Sequence, residues 1–256
     1  SITSALSGMG NLSFTANEIN WSAAIAGTGT LTLKPTTATN VINIGASSDA
    51  GTSTLDILAS ELALLGSTFT GVTIGGGSQS GNISIAAAST FASPVTFTTS
   101  GSTILSGNLS TTGSAGITVT NGMQVSGADR TITSASGNIT LATVDATGTA
   151  YGLTLTTTSG TINVARVGGT SALASLTTSA GGTTNFTGAG VTTTGVQNYN
   201  NAITLAADNA FTTTNNAILF ASTVNSATST PRALTANAGT STITFTGAVG
   251  GAQGLG

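Results

Sequence analysis

Hydrophobic residues alternate with hydroxyl-bearing or amide residues in short runs along most of this chain. Leu12-Ser13-Phe14, Leu31-Thr32-Leu33, Ile83-Ser84-Ile85, Ile117-Thr118-Val119, Leu153-Thr154-Leu155, Ile162-Asn163-Val164 and Ile243-Thr244-Phe245 all obey the rule. Alternation with a period of two predicts short β-strands with one buried face. Gly, Asn or Ser stands at nearly every boundary, as turns require. Pro35, Pro94 and Pro231 fall where strand starts or corners are expected.

One phrase recurs among these runs. Gly10-Asn11-Leu12-Ser13-Phe14, Gly81-Asn82-Ile83-Ser84-Ile85, Gly137-Asn138-Ile139-Thr140-Leu141 and Asn201-Ala202-Ile203-Thr204-Leu205 are versions of turn, apolar, hydroxyl, apolar. Such self-similarity is the signature of a solenoid, in which each unit buries its apolar face by stacking on its neighbours. Longer matches support this. Leu176 through Ala180 to Phe186-Thr187-Gly188-Ala189 resembles Leu234 through Ala238 to Phe245-Thr246-Gly247-Ala248, with one more residue between the anchors. Ile83 to Phe91 resembles Ile203 to Phe211 without a gap. Unequal spacings predict coils of unequal length, with the extra residues in loops. The expected fold is all-β: a parallel β-solenoid with irregular coils, continuous over residues 1–256 as a portion of a longer repetitive protein. At about 20 residues per coil and ~4.8 Å between coils, the rod would be about 60 Å long.

A further match concerns the ends. Val167-Gly168-Gly169 through Leu173-Ala174-Ser175-Leu176 aligns with Val249-Gly250-Gly251 through Leu255-Gly256, and the alignment continues into Ser1-Ile2-Thr3. The expectation is that the ends continue in tandem or stack on identical copies.

One stretch breaks the alternation. Leu55 to Leu65 predicts a strand to about Leu58 and then one or two helical turns within 59–65, with Ser60 as N-cap, Glu61 in the first turn and Gly66 as the stop.

Composition narrows the function classes. Gly, Ser, Thr and Asn abound, yet 39% of residues are hydrophobic and regularly spaced, which argues against disorder. Only 4% are charged, and the net charge is -3. The four cations, Lys34, Arg130, Arg166 and Arg232, are too scattered to form a phosphate-tracking groove, so no nucleic-acid partner is expected. No stretch approaches the ~20 apolar residues that span a bilayer. The absence of Cys excludes disulfides and thiolate metal sites. The chain opens Ser1-Ile2-Thr3 without Met or an export signal, and the expectation is a segment of a precursor whose signal, if it has one, lies upstream.

Candidate chemistry is sparse. Carbohydrate-active β-helices need clustered carboxylates to act as general acid, base or nucleophile. The acids here, Glu18, Asp49, Asp56, Glu61, Asp129, Asp145 and Asp208, form no cluster in sequence, and there is no His. Asp129-Arg130 reads as a solvated turn pair, because adjacent strand residues face opposite ways. The Gly-rich stretches at Gly75, Gly168 and Gly250 lack the acid of a calcium-binding nonapeptide and the Lys-Ser/Thr of a phosphate loop, so they read as turns. No catalytic, cofactor-binding or metal-ligating residue is assigned, and no enzyme activity is expected. Asn-x-Ser/Thr triplets at Asn11, Asn20, Asn82, Asn108, Asn138 and Asn185 are read as turn residues ahead of glycosylation sites. Thr30-x-Thr32, Thr96-x-Thr98, Thr118-x-Thr120, Thr131-x-Thr133, Thr154-x-Thr156 and Thr242-x-Thr244 offer hydroxyl pairs of the kind ice-binding solenoids display, but the unequal coils argue against their alignment. Trp21, Tyr151 and Tyr199 lie far apart in sequence, which disfavours a stacking platform for sugars.

Several segments carry a resemblance. Leu31-Thr-Leu33-Lys-Pro35 to Ile42-Asn-Ile44-Gly45, Leu55 to Leu62, Phe69 to Gly75, Ile203 to Phe211 and Leu234 to Gly251 resemble repeats of the filamentous haemagglutinin-like family of large bacterial exoproteins. The resemblance covers most of the chain. It implies a right-handed parallel β-helix, secretion across the outer membrane to the cell surface, and an adhesive or fibrous role. The favoured reading is therefore a structural or adhesive segment of an extracellular bacterial fibre, partnered by itself and by surface glycans. A glycan- or ice-binding solenoid module is the alternative, and a carbohydrate-active enzyme ranks third.

Overall fold

The computed structural model describes residues 1–179 and 181–256, so Ala180 of the longer sequence repeat lies outside the described residues. Strands make up 48% of the chain and helix 2%, in a parallel β-solenoid of about eleven turns. Each coil visits three faces. The first face begins with Leu12–Thr15 and Thr30–Lys34 and continues through Gly71–Gly75, Val95–Thr98 and Ile117–Val119. The second carries Val41–Ala46, Ile83–Ile85, Thr103–Leu105 and Met123–Val125. The third carries Ser89–Phe91, Leu109–Thr111, Arg130–Ser134 and Gly152–Thr157, down to Ile243–Phe245. Strands Ile139–Ala146 and Thr161–Val167 run through the corner between the first two faces, which joins these faces into one 18-stranded sheet. Every pairing between named strands is parallel, as stacked coils of one chain demand.

Coil length varies as the spacings foretold. Leu12 lies opposite Leu31, 19 residues on, and Val224 opposite Val249, 25 residues on. Register on the faces survives because the extra residues sit at corners. About eleven turns at ~4.8 Å give a rod of about 50 Å, shorter than the sequence expectation because the coils average more than 20 residues.

Alternation places one side chain in two inside. Val72, Val95, Ile117, Ile139 and Ile162 form one ladder on the first face, and Ile74, Phe97, Val119, Leu141 and Val164 form the next. All are buried. On the third face Tyr199, Phe220 and Phe245 stack along the axis, with ring centroids 5.1 Å and 4.7 Å apart. Polar side chains interrupt this dry interior around Asn201, whose Oδ1 accepts from the hydroxyls of Thr178 at 2.8 Å and Thr184 at 3.0 Å. Nearby, Tyr199 donates to Gln197 Oε1 at 2.9 Å, and Gln197 Nε2 donates to the Thr212 carbonyl at 2.9 Å. Burial pushes the Tyr199 phenol well above its usual range.

Residues 41–65 form an excursion. After Val41–Ala46 the chain steps back toward the N-terminal end and lays Thr54–Leu58 beside it. The helix that follows is Ala59–Leu62 alone. Ser60 lies inside it, not at its N-cap. Leu58 is the last extended residue, and its N–H donates to Glu61 Oε2 at 2.9 Å, so Glu61 caps from the N3 position. Leu65 then rejoins the stack opposite Ile25.

The longer sequence repeats do not superpose coil on coil. Leu176 lies on the third face and Leu234 on the second; Ile83 lies on the second and Ile203 on the first. Likewise Val167 belongs to the second face and Val249 to the first. The unit that repeats in sequence is one side of the triangle, a strand with its corner, matched each time to a side one step earlier in the coil.

Candidate functional site

The acids divide into two groups, and the first consists of corner residues. Asp129 Oδ1 accepts from the backbone N–H of Gly152 at 2.7 Å, Asp145 Oδ1 from Thr170 at 2.8 Å and Ser171 at 3.0 Å, and Asp208 Oδ1 from Ala233 at 3.0 Å. Each clips one coil to the next. Asn does the same at equivalent corners: Asn11 to Thr30, Asn82 to Ser102, Asn108 to Thr131, Asn138 to Thr161 and Asn215 to Thr240, all at 2.8–3.0 Å. A side-chain oxygen of the right reach is what the corner requires, and Asp or Asn supplies it. Four of the six Asn-x-Ser/Thr triplets, those at Asn11, Asn82, Asn108 and Asn138, are such clips. Arg130 does not pair with Asp129; its Nε donates to the Ser126 carbonyl at 3.0 Å.

The second group is distant in sequence and comes together only in the fold. Glu18, Asp49, Asp56 and Glu61 come together at the N-terminal end, because the 41–65 excursion folds back onto the early coils. Asp56 is buried and accepts from Asn43 Nδ2 at 2.9 Å and Ala50 N–H at 2.7 Å. Glu61 is buried, and its Oε1 accepts from Trp21 N–H at 2.9 Å while the indole N–H donates to the Glu61 carbonyl at 2.8 Å. Burial raises the Glu61 carboxyl above its usual range, against the lowering effect of the Leu58 and Trp21 N–H groups. Asp49 is held below the usual carboxylate range, first by the N–H of Gly51. Glu18 is raised by burial and by Asp49, and neither of its covered oxygens has a donor from elsewhere. The four acids do not converge on one point: among the described residues no three acids are placed to hold a metal ion. Linear spacing gave no sign of this cluster, since Glu18 and Glu61 meet only through the step back of Thr54–Leu58.

Aromatics contribute no exposed platform at Trp21 or Tyr199. Trp21 is 4% exposed and Tyr199 is fully covered. A groove of about 400 Å³ lies between Ser67, Phe69, Pro94 and Thr112–Ala115.

The outward rows are more ordered than expected. Along the first face Ser13, Thr32, Thr73, Thr96, Thr118, Thr140, Asn163, Asn185, Thr204 and Asn225 occupy one register position. Part of this row is bonded along the axis: Asn185 Nδ2 donates to Asn163 Oδ1 at 3.2 Å and Thr204 Oγ1 to Asn185 Oδ1 at 3.1 Å. The Thr-x-Thr pairs separate by face. Those at Thr96 and Thr118 adjoin on the first face, and those at Thr131 and Thr154 adjoin on the third. Unequal coil lengths therefore do not prevent alignment.

The geometry defines the class as a parallel β-solenoid whose polar residues serve its coil-to-coil contacts. No family model, curated protein or solved structure matches the chain. No helix among the described residues is long and apolar enough to cross a membrane.

Proposed function

We propose that this chain is a structural segment of an extracellular bacterial fibre, of the kind found in filamentous haemagglutinin-like exoproteins, and that it has no catalytic role. The observation that carries the reading is the use made of five of its seven acids. Asp129, Asp145 and Asp208 clip successive coils, while Asp56 and Glu61 fix the excursion to the rod. A general acid or base needs a carboxylate free to meet substrate, and these five are bonded to the backbone. A rod held by axial backbone bonds and a dry core suits a spacer that keeps its shape outside the cell with few charges for salt to screen. Immunogold labelling of intact source cells, with antibodies to the folded segment, tests this. Label on surface filaments is expected; label confined to the cell interior would overturn it.

The ten-residue polar row of the first face favours a second reading, a flat binding surface for glycan or ice. Its test is thermal hysteresis together with glycan-array binding of the purified chain, both lost in Thr96→Leu/Thr118→Leu. Inactivity of the unaltered chain in both assays removes this reading and leaves the fibre reading standing.

A further inference from the structure

The corner amides commit one atom to the fold and leave the other free. Asn82, Asn108 and Asn138 each accept a backbone N–H of the next coil through Oδ1, from Ser102 at 3.0 Å, Thr131 at 3.0 Å and Thr161 at 2.8 Å. Among the described residues no acceptor bonds the Nδ2 of any of the three. Asn108 and Asn138 are exposed and Asn82 is half-buried. Each opens an Asn-x-Ser/Thr triplet: Asn82-Ile83-Ser84, Asn108-Leu109-Ser110 and Asn138-Ile139-Thr140. The middle residue is buried every time, and its two neighbours are not. Alternation therefore sets the amide and the hydroxyl on the same outward side.

These amides fall one on each edge of the triangle. Asn82 stands between first-face Gly71–Gly75 and second-face Ile83–Ile85, Asn108 between second-face Thr103–Leu105 and third-face Leu109–Thr111, and Asn138 between third-face Arg130–Ser134 and first-face Ile139–Ala146. All three have chain on both sides: the N–H groups of Ile42, Ser89 and Ile117 donate to their backbone carbonyls from the other direction. Their exposure is a property of the corner. Asn185-Phe186-Thr187 has the same letters and a different geometry. Asn185 lies within the strand Thr183–Phe186, its Nδ2 donates to Asn163 Oδ1 at 3.2 Å, and its Oδ1 accepts from Thr204 at 3.1 Å. A substituent on that nitrogen would disrupt the outward row.

We propose that Asn82, Asn108 and Asn138 are N-glycosylation sites, each taking a sugar activated at its anomeric carbon as a phosphate ester and delivered by a separate transferase. In the transfer Nδ2 bonds to the anomeric carbon. The bond from that carbon to the phosphate oxygen breaks, the phosphate leaves with the electron pair, and one amide proton passes to a base of the transferase. The product is still an amide whose Oδ1 accepts, so the clip to the next coil survives. Asp129, which clips Gly152 with an oxygen and has no side-chain nitrogen, shows that the corner makes no use of Nδ2. The sugars project from the three edges and leave the faces bare, the polar row of the first face included. Their bulk is solubilising on a chain with only 4% charged residues. Glycosylation at these edges stands whether or not the rod belongs to a fibre.

Peptide mass spectrometry of the chain isolated from its source cells tests this, with electron-transfer fragmentation to locate each sugar. Sugar is expected on Asn82, Asn108 and Asn138 and not on Asn185. A single hexose traces to a nucleotide-sugar donor and an oligosaccharide block to a lipid-linked one, and either supports the assignment. A chain without N-linked sugar, or one modified equally at Asn185, overturns it. Two variants made in the same cells separate the acceptor from the clip. Asn138→Asp keeps the oxygen and loses Nδ2, and Thr140→Val keeps the amide and loses the hydroxyl. Both are expected to fold, with urea midpoints near that of the unaltered chain, and to lose the sugar at position 138 alone while Asn82 and Asn108 stay modified. Sugar retained at Asn138 in Thr140→Val would show that the outward hydroxyl plays no part in recognition, which overturns the assignment. The glycosylated chain is also expected to share the urea midpoint of sugar-free chain from a heterologous host; a lower midpoint would show that sugar and clip compete, and the reasoning from the free Nδ2 would fail.

Discussion

Replacing Asn201 with Ala tests whether the polar interruption of the core is a closed network. Asn201 is 2% exposed and serves three groups: the hydroxyls of Thr178 and Thr184 donate to its Oδ1, and its Nδ2 donates to the Gly181 carbonyl at 3.2 Å. Thr178 and Thr184 are fully covered, so water does not reach them in the folded rod. Truncation orphans two donors and an acceptor, at about 1–3 kcal/mol each. Rotation of the hydroxyls toward backbone carbonyls recovers some of this, and the expected loss is about 3–5 kcal/mol. Adding Thr178→Val and Thr184→Val to Asn201→Ala removes the orphaned hydroxyls without changing shape much. The triple variant is therefore expected to be more stable than Asn201→Ala, a non-additivity that only a shared network produces.

The assay is urea unfolding followed by far-UV circular dichroism, with amide exchange to locate the opening coils. Stability in a solenoid is a sum over units and their interfaces, so exchange in Asn201→Ala is expected to accelerate first around residues 175–205. A loss below about 1 kcal/mol, or a triple variant less stable than the single one, would refute the network reasoning.

The corner clips predict that Asn138→Ala costs about 1 kcal/mol while Asn138→Asp, which keeps the oxygen, costs much less, as read from urea midpoints. Gly168 has φ +66°, and a Cβ there would collide with the Thr192 carbonyl of the next coil. Gly168→Ala is expected to lose at least about 2 kcal/mol, also read from urea midpoints, whereas alanine at exposed Gly113, also left-handed but in open space, loses less. The carboxyls of Glu18 and Glu61 are raised from 4.5, so their contribution is full below that pH and is lost as pH rises through the folded-state values. Asp49 is lowered from 3.8, and its contribution is lost as pH falls through the folded-state value. The N-terminal coils are therefore expected to be firmest near pH 4 to 4.5 and looser at pH 7. Trp21, the single tryptophan, reports this locally by its fluorescence during urea unfolding, and Glu18→Gln is expected to flatten the acid-to-neutral difference in part, Glu61 retaining the rest.

The strands were legible because solenoid interiors impose the simplest of patterns. Ile83-Ser84-Ile85 states its burial in three letters, and the structure buries both Ile residues and leaves Ser84 outward. What linear reading lacked was the number of sides to a coil. Leu176 and Leu234 resemble each other as occupants of similar sides, and nothing in their sequence says that those sides face different ways. The N-cap was misplaced to Ser60 for a related reason. Glu61 reaches back to Leu58 and across to Trp21, and the second contact exists only once the excursion has folded. The acid cluster was invisible on the same ground: forty residues separate Trp21 from Glu61, and only the step back of Thr54–Leu58 removes that distance.

Unequal coils and straight rows are compatible because length is absorbed where nothing has to match. Between the first and second faces, Ile139–Ala146 turns the corner with no loop at all, whereas 227–233 spends a whole loop on the same turn. In both places the ladders of the two faces stay in register, because an inward side chain must meet another inward side chain or expose the core. The fold constrains the alternation and the corner oxygen, and leaves loop length nearly free. The corner needs only that oxygen, so Asp and Asn both serve there, and the loops absorb length so that the first-face row stays straight across ten coils of different size. It also locates where a ligand specificity would have to be written: in the corner loops, where length and sequence vary, or in the outward row, where the only demand the fold makes is a side chain at home on a strand.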